Sequence, residues 1–143
     1  ALPEHSLDDW ELAMAVNARA AFVTCRAVIP SMAARGEGVV VNVASIWAAR
    51  GGPDRVAYIA AKHAVLGLTR ALAAEYGPAG VRINAISPGP VRTPMTASLG
   101  GDQSSWLAPE EIADAIVFLC GDGSRGMWGE NLEVLGRGRP AGL

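Results

Sequence analysis

A phenol and an ammonium stand one helical turn apart in this chain. Tyr58-Ile59-Ala60-Ala61-Lys62 places the only lysine four residues after one of two tyrosines, while eleven arginines carry the remaining positive charge. Residues i and i+4 share a helix face. A cation beside a phenol lowers its pKa from about 10 toward neutrality, and a phenol titrating there serves as a general acid or base. The pair alone is common helix decoration, so its meaning depends on what else reaches it. Ser45 lies thirteen residues before Tyr58, directly after an apolar β-branched run. The segment Pro88-Gly89-Pro90-Val91-Arg92-Thr93 follows a second such run. Asn17 falls inside a helical stretch, where a polar residue needs a reason or an exposed face.

The elements that must position these groups alternate along the chain. Residues 7–35 read as a long helix capped by Ser6 or Asp8, with Asp8, Asp9 and Glu11 suiting its positive end. Leu12, Val16, Ala20, Val23 and Ala27 form an apolar stripe at helical spacing, and Pro30 predicts a kink or break. Val39–Val43 is apolar on both faces, as in a strand buried in a parallel sheet. Asp54 is expected to cap a helix over 55–76, closed by Gly77-Pro78. Residues 81–86 form a second strand and 95–107 read as a mobile loop. Pro109 opens a third helix to about 120, residues 131–135 form a last strand, and 136–143 read as a tail. This order implies right-handed β-α-β units in an open parallel α/β sheet. Both loops after the strands then open on one sheet edge, where ligands bind in such folds.

Bulk properties narrow the class. The chain has 143 residues, half of them hydrophobic and 18% charged, with a net charge of −2. That suits one globular domain and excludes the basic footprint of nucleic-acid binding. Asn17, Arg19, Arg26, Lys62, His63 and Arg70 break the apolar stretches, so no membrane span or membrane partner is expected. Cys25 and Cys120 lie in apolar helical contexts and read as buried thiols in a reducing cytoplasm. No metal site is expected. His63 is read as structural, and Trp47 and Trp106 as either pocket walls or core. The small-residue face of helix 55–76 reads as simple packing or as a subunit contact.

Together these residues resemble the active-site half of a short-chain dehydrogenase/reductase. The resemblance rests on Val16-Asn17, Asn42-Val43-Ala44-Ser45, Tyr58-x3-Lys62, Pro88-Gly89-x3-Thr93 and the segment Gly129–Val134. It runs along nearly the whole chain, although Leu135 stands where an aspartate is often found. It implies an NAD- or NADP-dependent oxidoreductase acting on a carbonyl or alcohol. Tyr58 would be the acid/base, Lys62 would tune it and hold the nicotinamide ribose, and Ser45 would hold the substrate oxygen. Asn17 would anchor a water linking Lys62 to solvent. Pro88, Gly89, Val91 and Thr93 would line the nicotinamide and its phosphates. A homo-oligomer, dimer or tetramer, through helices 7–35 and 55–76 is expected.

The family's amino-terminal Gly-rich turn and Asn-Asn-Ala-Gly segment are not found in this sequence. The expectation is therefore a partial Rossmann-like sheet, the carboxyl-terminal half of a larger fold, with residues 39–43 as an exposed edge. Another chain, a swapped element or an amino-terminal fragment is expected to cover that edge. The alternative is a truncated, catalytically inactive remnant serving as an oligomeric or partner-binding module. Cofactor-independent chemistry ranks last, since no Gly-x-Ser-x-Gly elbow is found.

Overall fold

Three parallel strands carry the fold in a computed structural model of the protein, which describes residues 2–97 and 103–136. They are β1 (Gly38–Val43), β2 (Val81–Pro88) and β3 (Asn131–Val134), in the order β1-β2-β3. Gly38 pairs with Val81 and Val43 with Ile86, and Ala85 pairs with Asn131. The α/β class and parallel sheet are as the sequence predicts, and β2 runs two residues beyond the predicted end.

Side-chain alternation decides what covers each face. Val81 and Ile83 pack with Cys25, Ile29 and Ala73, and Ala85 packs with Val65 and Leu66. These partners lie on α2 (Ala20–Arg35) and α3 (Val56–Tyr76). Arg82 and Asn84 point the other way. Arg82 meets the end of α4 (Pro109–Cys120), and Asn84 accepts from the Glu130 backbone N–H and donates to the Met127 carbonyl. Helices thus cover both faces of β2, and its apolar residues are almost wholly buried.

The long helix differs from its sequence reading in three ways. It begins as α1 (Leu7–Met14), with the Ser6 hydroxyl accepting from the Asp9 N–H at 3.0 Å, and then widens into a π turn over Ala15–Arg19 before α2. Pro30 sits inside α2 without ending it. The stripe through Leu12, Val16 and Val23 is exposed rather than buried, because Cys25 and Ile29 form the face turned to the sheet. The helix Leu7–Arg35 is also long and apolar enough to cross a membrane by length and composition, against the sequence expectation. An 18-residue stretch within its 29 residues, holding at most two charged side chains, has a mean hydropathy of 1.4. Helices that cover a sheet meet the same criterion, and this one packs on β1 and α3.

Two further expectations are corrected. Asp54 does not cap α3. It adopts a left-handed conformation (φ 58°) in the turn before the helix, which Asp tolerates. Cys120 is exposed, since it ends α4 beyond the buried face, while Cys25 is buried. Burial pushes the Cys25 thiol pKa up, opposed by a hydrogen bond with Asn42. The predicted loop 95–107 is described only in part. Leu107, 1% exposed, bridges to Val91, and residues 98–102 lie outside the described residues. So do 137–143 of the predicted tail.

Glycine is required by geometry at the turn into β2. Gly80, at φ 80°, turns the chain into β2, and a Cβ there would sit 2.0 Å from the Gly36 carbonyl oxygen. Gly80→Ala is expected to destabilise the protein by more than the roughly 1–2 kcal/mol of left-handed strain alone, because backbone must move. A lowered urea midpoint at unchanged slope checks this.

Candidate active site

The carboxyl ends of β1 and β2 open into one cavity of about 670 Å³. Each wall is placed by a local feature. Beyond β1 the chain forms a single helical turn, Ile46–Ala48, and the Ser45 hydroxyl caps it by accepting from the Trp47 N–H at 3.2 Å. That bond uses a lone pair and leaves the Ser45 O–H free to donate. Ser45 is buried at the cavity wall.

Helix α3 supplies the second wall. Tyr58 and Lys62 face the cavity one turn apart. The Lys62 Nζ donates to the Val43 carbonyl at the end of β1, 3.0 Å away, and lies 5.7 Å from the centroid of the Tyr58 ring. The ammonium therefore ties the helix carrying the phenol to the strand leading to Ser45. Burial lowers the Lys62 pKa from the ordinary lysine value, and two of its three donors remain for a ligand. Tyr58 is 36% exposed, open enough for its hydroxyl to meet a substrate.

The segment after β2 closes the third side. The Gly89 N–H donates to the Val134 carbonyl at 2.8 Å, which extends the sheet past Pro88. Val91 bridges to Leu107, and the Arg92 N–H donates to the Leu107 carbonyl. The Thr93 N–H donates to the Thr96 hydroxyl, and that hydroxyl donates to the Val91 carbonyl. These bonds tie the loop to itself and to Leu107. Pro88, Gly89, Val91 and Thr93 all line the cavity.

Seven of the eight residues singled out in the sequence thus meet at one site. Asn17 stands apart from the lining. Its side-chain amide donates to the Ala13 carbonyl at 2.9 Å, the group that its own backbone N–H would satisfy in a regular α-helix. Its π turn packs against α3, and such turns recur at functional sites. Trp47 and Trp106 line the cavity, which resolves the choice between pocket and core. His63 Nδ1 pairs with the Ile59 carbonyl on its own helix. Arg55, which the sequence reading passed over, also lines the cavity.

The donor set suits a dinucleotide's nicotinamide end. The cavity lies in the usual size range of ligand sites, the Lys62 ammonium has donors to spare, and the loop from Pro88 to Thr93 offers a fixed rim.

Known proteins agree with this geometry. The family profile described as Enoyl-(Acyl carrier protein) reductase matches residues 1–136. A 2-keto-3-deoxy-L-fuconate dehydrogenase of Xanthomonas campestris pv. campestris is 38% identical over 133 residues, covering 80% of this chain and 44% of its own length. A structure from Beutenbergia cavernae, described as an NAD(P)-dependent gluconate 5-dehydrogenase with NADP, superposes with a TM-score of 0.87 at 38% identity, over 92% of this chain and 58% of that one. A mutant 4-hydroxyisoleucine dehydrogenase holding NADH and succinate gives a TM-score of 0.89 at 32% identity, over 99% and 63%. The chain spans about half the length of the curated relatives it matches. With that profile, that fold and a Tyr-x3-Lys pair facing a strand-end serine, the chain belongs to the short-chain dehydrogenase/reductase family.

Proposed function

We propose that the chain is the carboxyl-terminal, active-site half of an NAD(P)-dependent oxidoreductase that interconverts a carbonyl and an alcohol. The observation that carries this reading is the meeting of Ser45, Tyr58, Lys62 and the loop from Pro88 to Thr93 around one cavity. NAD or NADP, held by Lys62 and that loop, would supply the hydride acceptor or donor. Tyr58 gives a proton to the substrate oxygen in reduction and takes it back in oxidation. The Lys62 ammonium, 5.7 Å from the ring, stabilises negative charge on the phenol oxygen. Ser45 donates its O–H to the substrate oxygen and fixes its place beside the phenol. Asn17, on the π turn, would support the water route by which Lys62 exchanges protons. The amino-terminal half of the site comes from the rest of the protein or from a partner fragment, and helices 7–35 and 55–76 form the contacts of a homo-oligomer.

Nicotinamide fluorescence tests the reading. NADH or NADPH is expected to bind the chain once an amino-terminal fragment is supplied, and Lys62→Ala is expected to weaken binding about ten- to hundredfold, the range for a lost charge-assisted hydrogen bond. A second reading, an inactive partner-binding module, is favoured by the exposed Leu12, Val16 and Val23 and by the exposed Val43 on β1. It requires no nicotinamide binding under any pairing.

A further inference from the structure

We propose that Arg55 and Trp47 form a subsite that holds an anionic group, a carboxylate above all, on the substrate. The proposal rests on the oxidoreductase reading and names the class of carbonyl or alcohol it would take.

Position along α3 gives the first argument. Arg55 precedes Tyr58 by three residues and Lys62 follows it by four. Arg55 is the N-cap residue just ahead of the first turn of α3, and Lys62 lies about 6 Å beyond Tyr58 along the axis, so the two cations flank the phenol in the chain. Both cations line the same cavity. A substrate whose reacting oxygen meets Tyr58 can therefore extend away from the Lys62 side toward Arg55.

Charge gives the second. The described lining holds the cations Arg55 and Lys62 and no carboxylate. Lys62 gives one donor to the Val43 carbonyl, and on the oxidoreductase reading its remaining donors face the nicotinamide ribose. Nearby arginines are also engaged: Arg50 pairs with Glu133 at 2.7 Å, and Arg92 donates to the Trp106 carbonyl at 2.8 Å. The Arg55 guanidinium has no ion pair or side-chain hydrogen bond among the described residues. Its recorded contact is the Trp47 ring, 5.7 Å to the centroid.

That contact is held in place. A Cβ on Gly52 would come within 2.7 Å of Trp47 Cζ3, so the preceding loop packs directly on the indole. A fixed aromatic plate under a guanidinium restricts its motion while leaving the planar fork of donors open. That fork matches a carboxylate in bidentate fashion.

The test uses the chain supplied with its amino-terminal half. A panel of small ketones is offered, each as the carboxylate and as its methyl ester. Binding is read by tryptophan fluorescence and turnover by NAD(P)H absorbance. The acids are expected to be preferred about ten- to hundredfold, and Arg55→Met is expected to erase that preference, with Arg55→Lys intermediate. Equal response to acid and ester, response to neither, or a preference that survives Arg55→Met overturns the proposal. So does a loss in Arg55→Met confined to NADPH affinity, which would place the cation on a cofactor phosphate. Preferential binding of acids without any hydride transfer would instead sink the oxidoreductase reading and leave the subsite standing.

Discussion

Tyr58→Phe is expected to lower kcat about a hundredfold to ten-thousandfold, the usual share of a positioned general acid/base, with little change in cofactor affinity or stability. The substitution removes one oxygen and keeps the ring beneath the Lys62 ammonium. The Tyr58 hydroxyl has no hydrogen-bond partner among the described residues, and the side chain is exposed. Nothing structural is lost with it. Ser45→Ala is a less clean experiment, because the same hydroxyl caps the turn at Trp47 and its loss carries a structural cost of about 1 kcal/mol. Steady-state kinetics of the paired protein, with NAD(P)H titration as the control, check the result. Retention of more than a tenth of kcat in Tyr58→Phe would remove the phenol from the mechanism. The alkaline side of the profile carries related information. Burial lowers the Lys62 pKa, so the ammonium is given up at a lower pH than by a free lysine. Cofactor binding that depends on it should weaken correspondingly early as pH rises.

The sequence carried the site well wherever the chemistry depends on local spacing. Tyr58 and Lys62 share a helix face by the i, i+4 rule. Ser45 and Pro88 lie at the ends of β-branched runs, so a parallel sheet brings them to one edge. Contacts between distant residues were not legible. Arg55 reads as the first residue of a helix, and only the fold shows it at the N-cap, resting on Trp47. The stripe through Leu12, Val16 and Val23 has the period of a buried face but is exposed. Periodicity reports that a face is apolar, not which partner covers it. The π turn at Asn17 has no sequence signature in propensity, because it shifts the helix by a single residue. Asp54 followed the usual preference for a cap, yet the turn needed a residue tolerant of positive φ and used it there instead.

Arg82 shows the same limit on the stability side, and its removal is expected to be the most damaging surface-to-core change outside the site. An arginine in a central strand reads as an edge or a face toward solvent. Here its Nη1 donates to the Leu119 carbonyl, the Ser124 carbonyl and the Ser124 hydroxyl at 3.1, 3.0 and 2.6 Å. Its Nη2 donates to the carbonyls of Cys120 and Gly121 at 3.3 and 3.1 Å. The last carbonyls of a helix lack partners within it and carry its negative end. One guanidinium thus closes the end of α4 and fastens it to β2. Truncation strands several of these acceptors at once, at a cost of about 3 kcal/mol, or roughly 10 °C in Tm for a domain of this size. Arg82→Lys keeps the charge but cannot reach both sets of acceptors, so it should recover only part of the loss. Thermal unfolding measures the cost, and amide exchange at the end of α4 should show where it falls. The cavity is at the other end of β2, six residues and about 20 Å away. At a temperature where Arg82→Ala remains folded, kcat should therefore match the parent protein. Loss of activity without loss of Tm would mean that Arg82 acts on the site, and equal Tm would mean that α4 is fastened some other way.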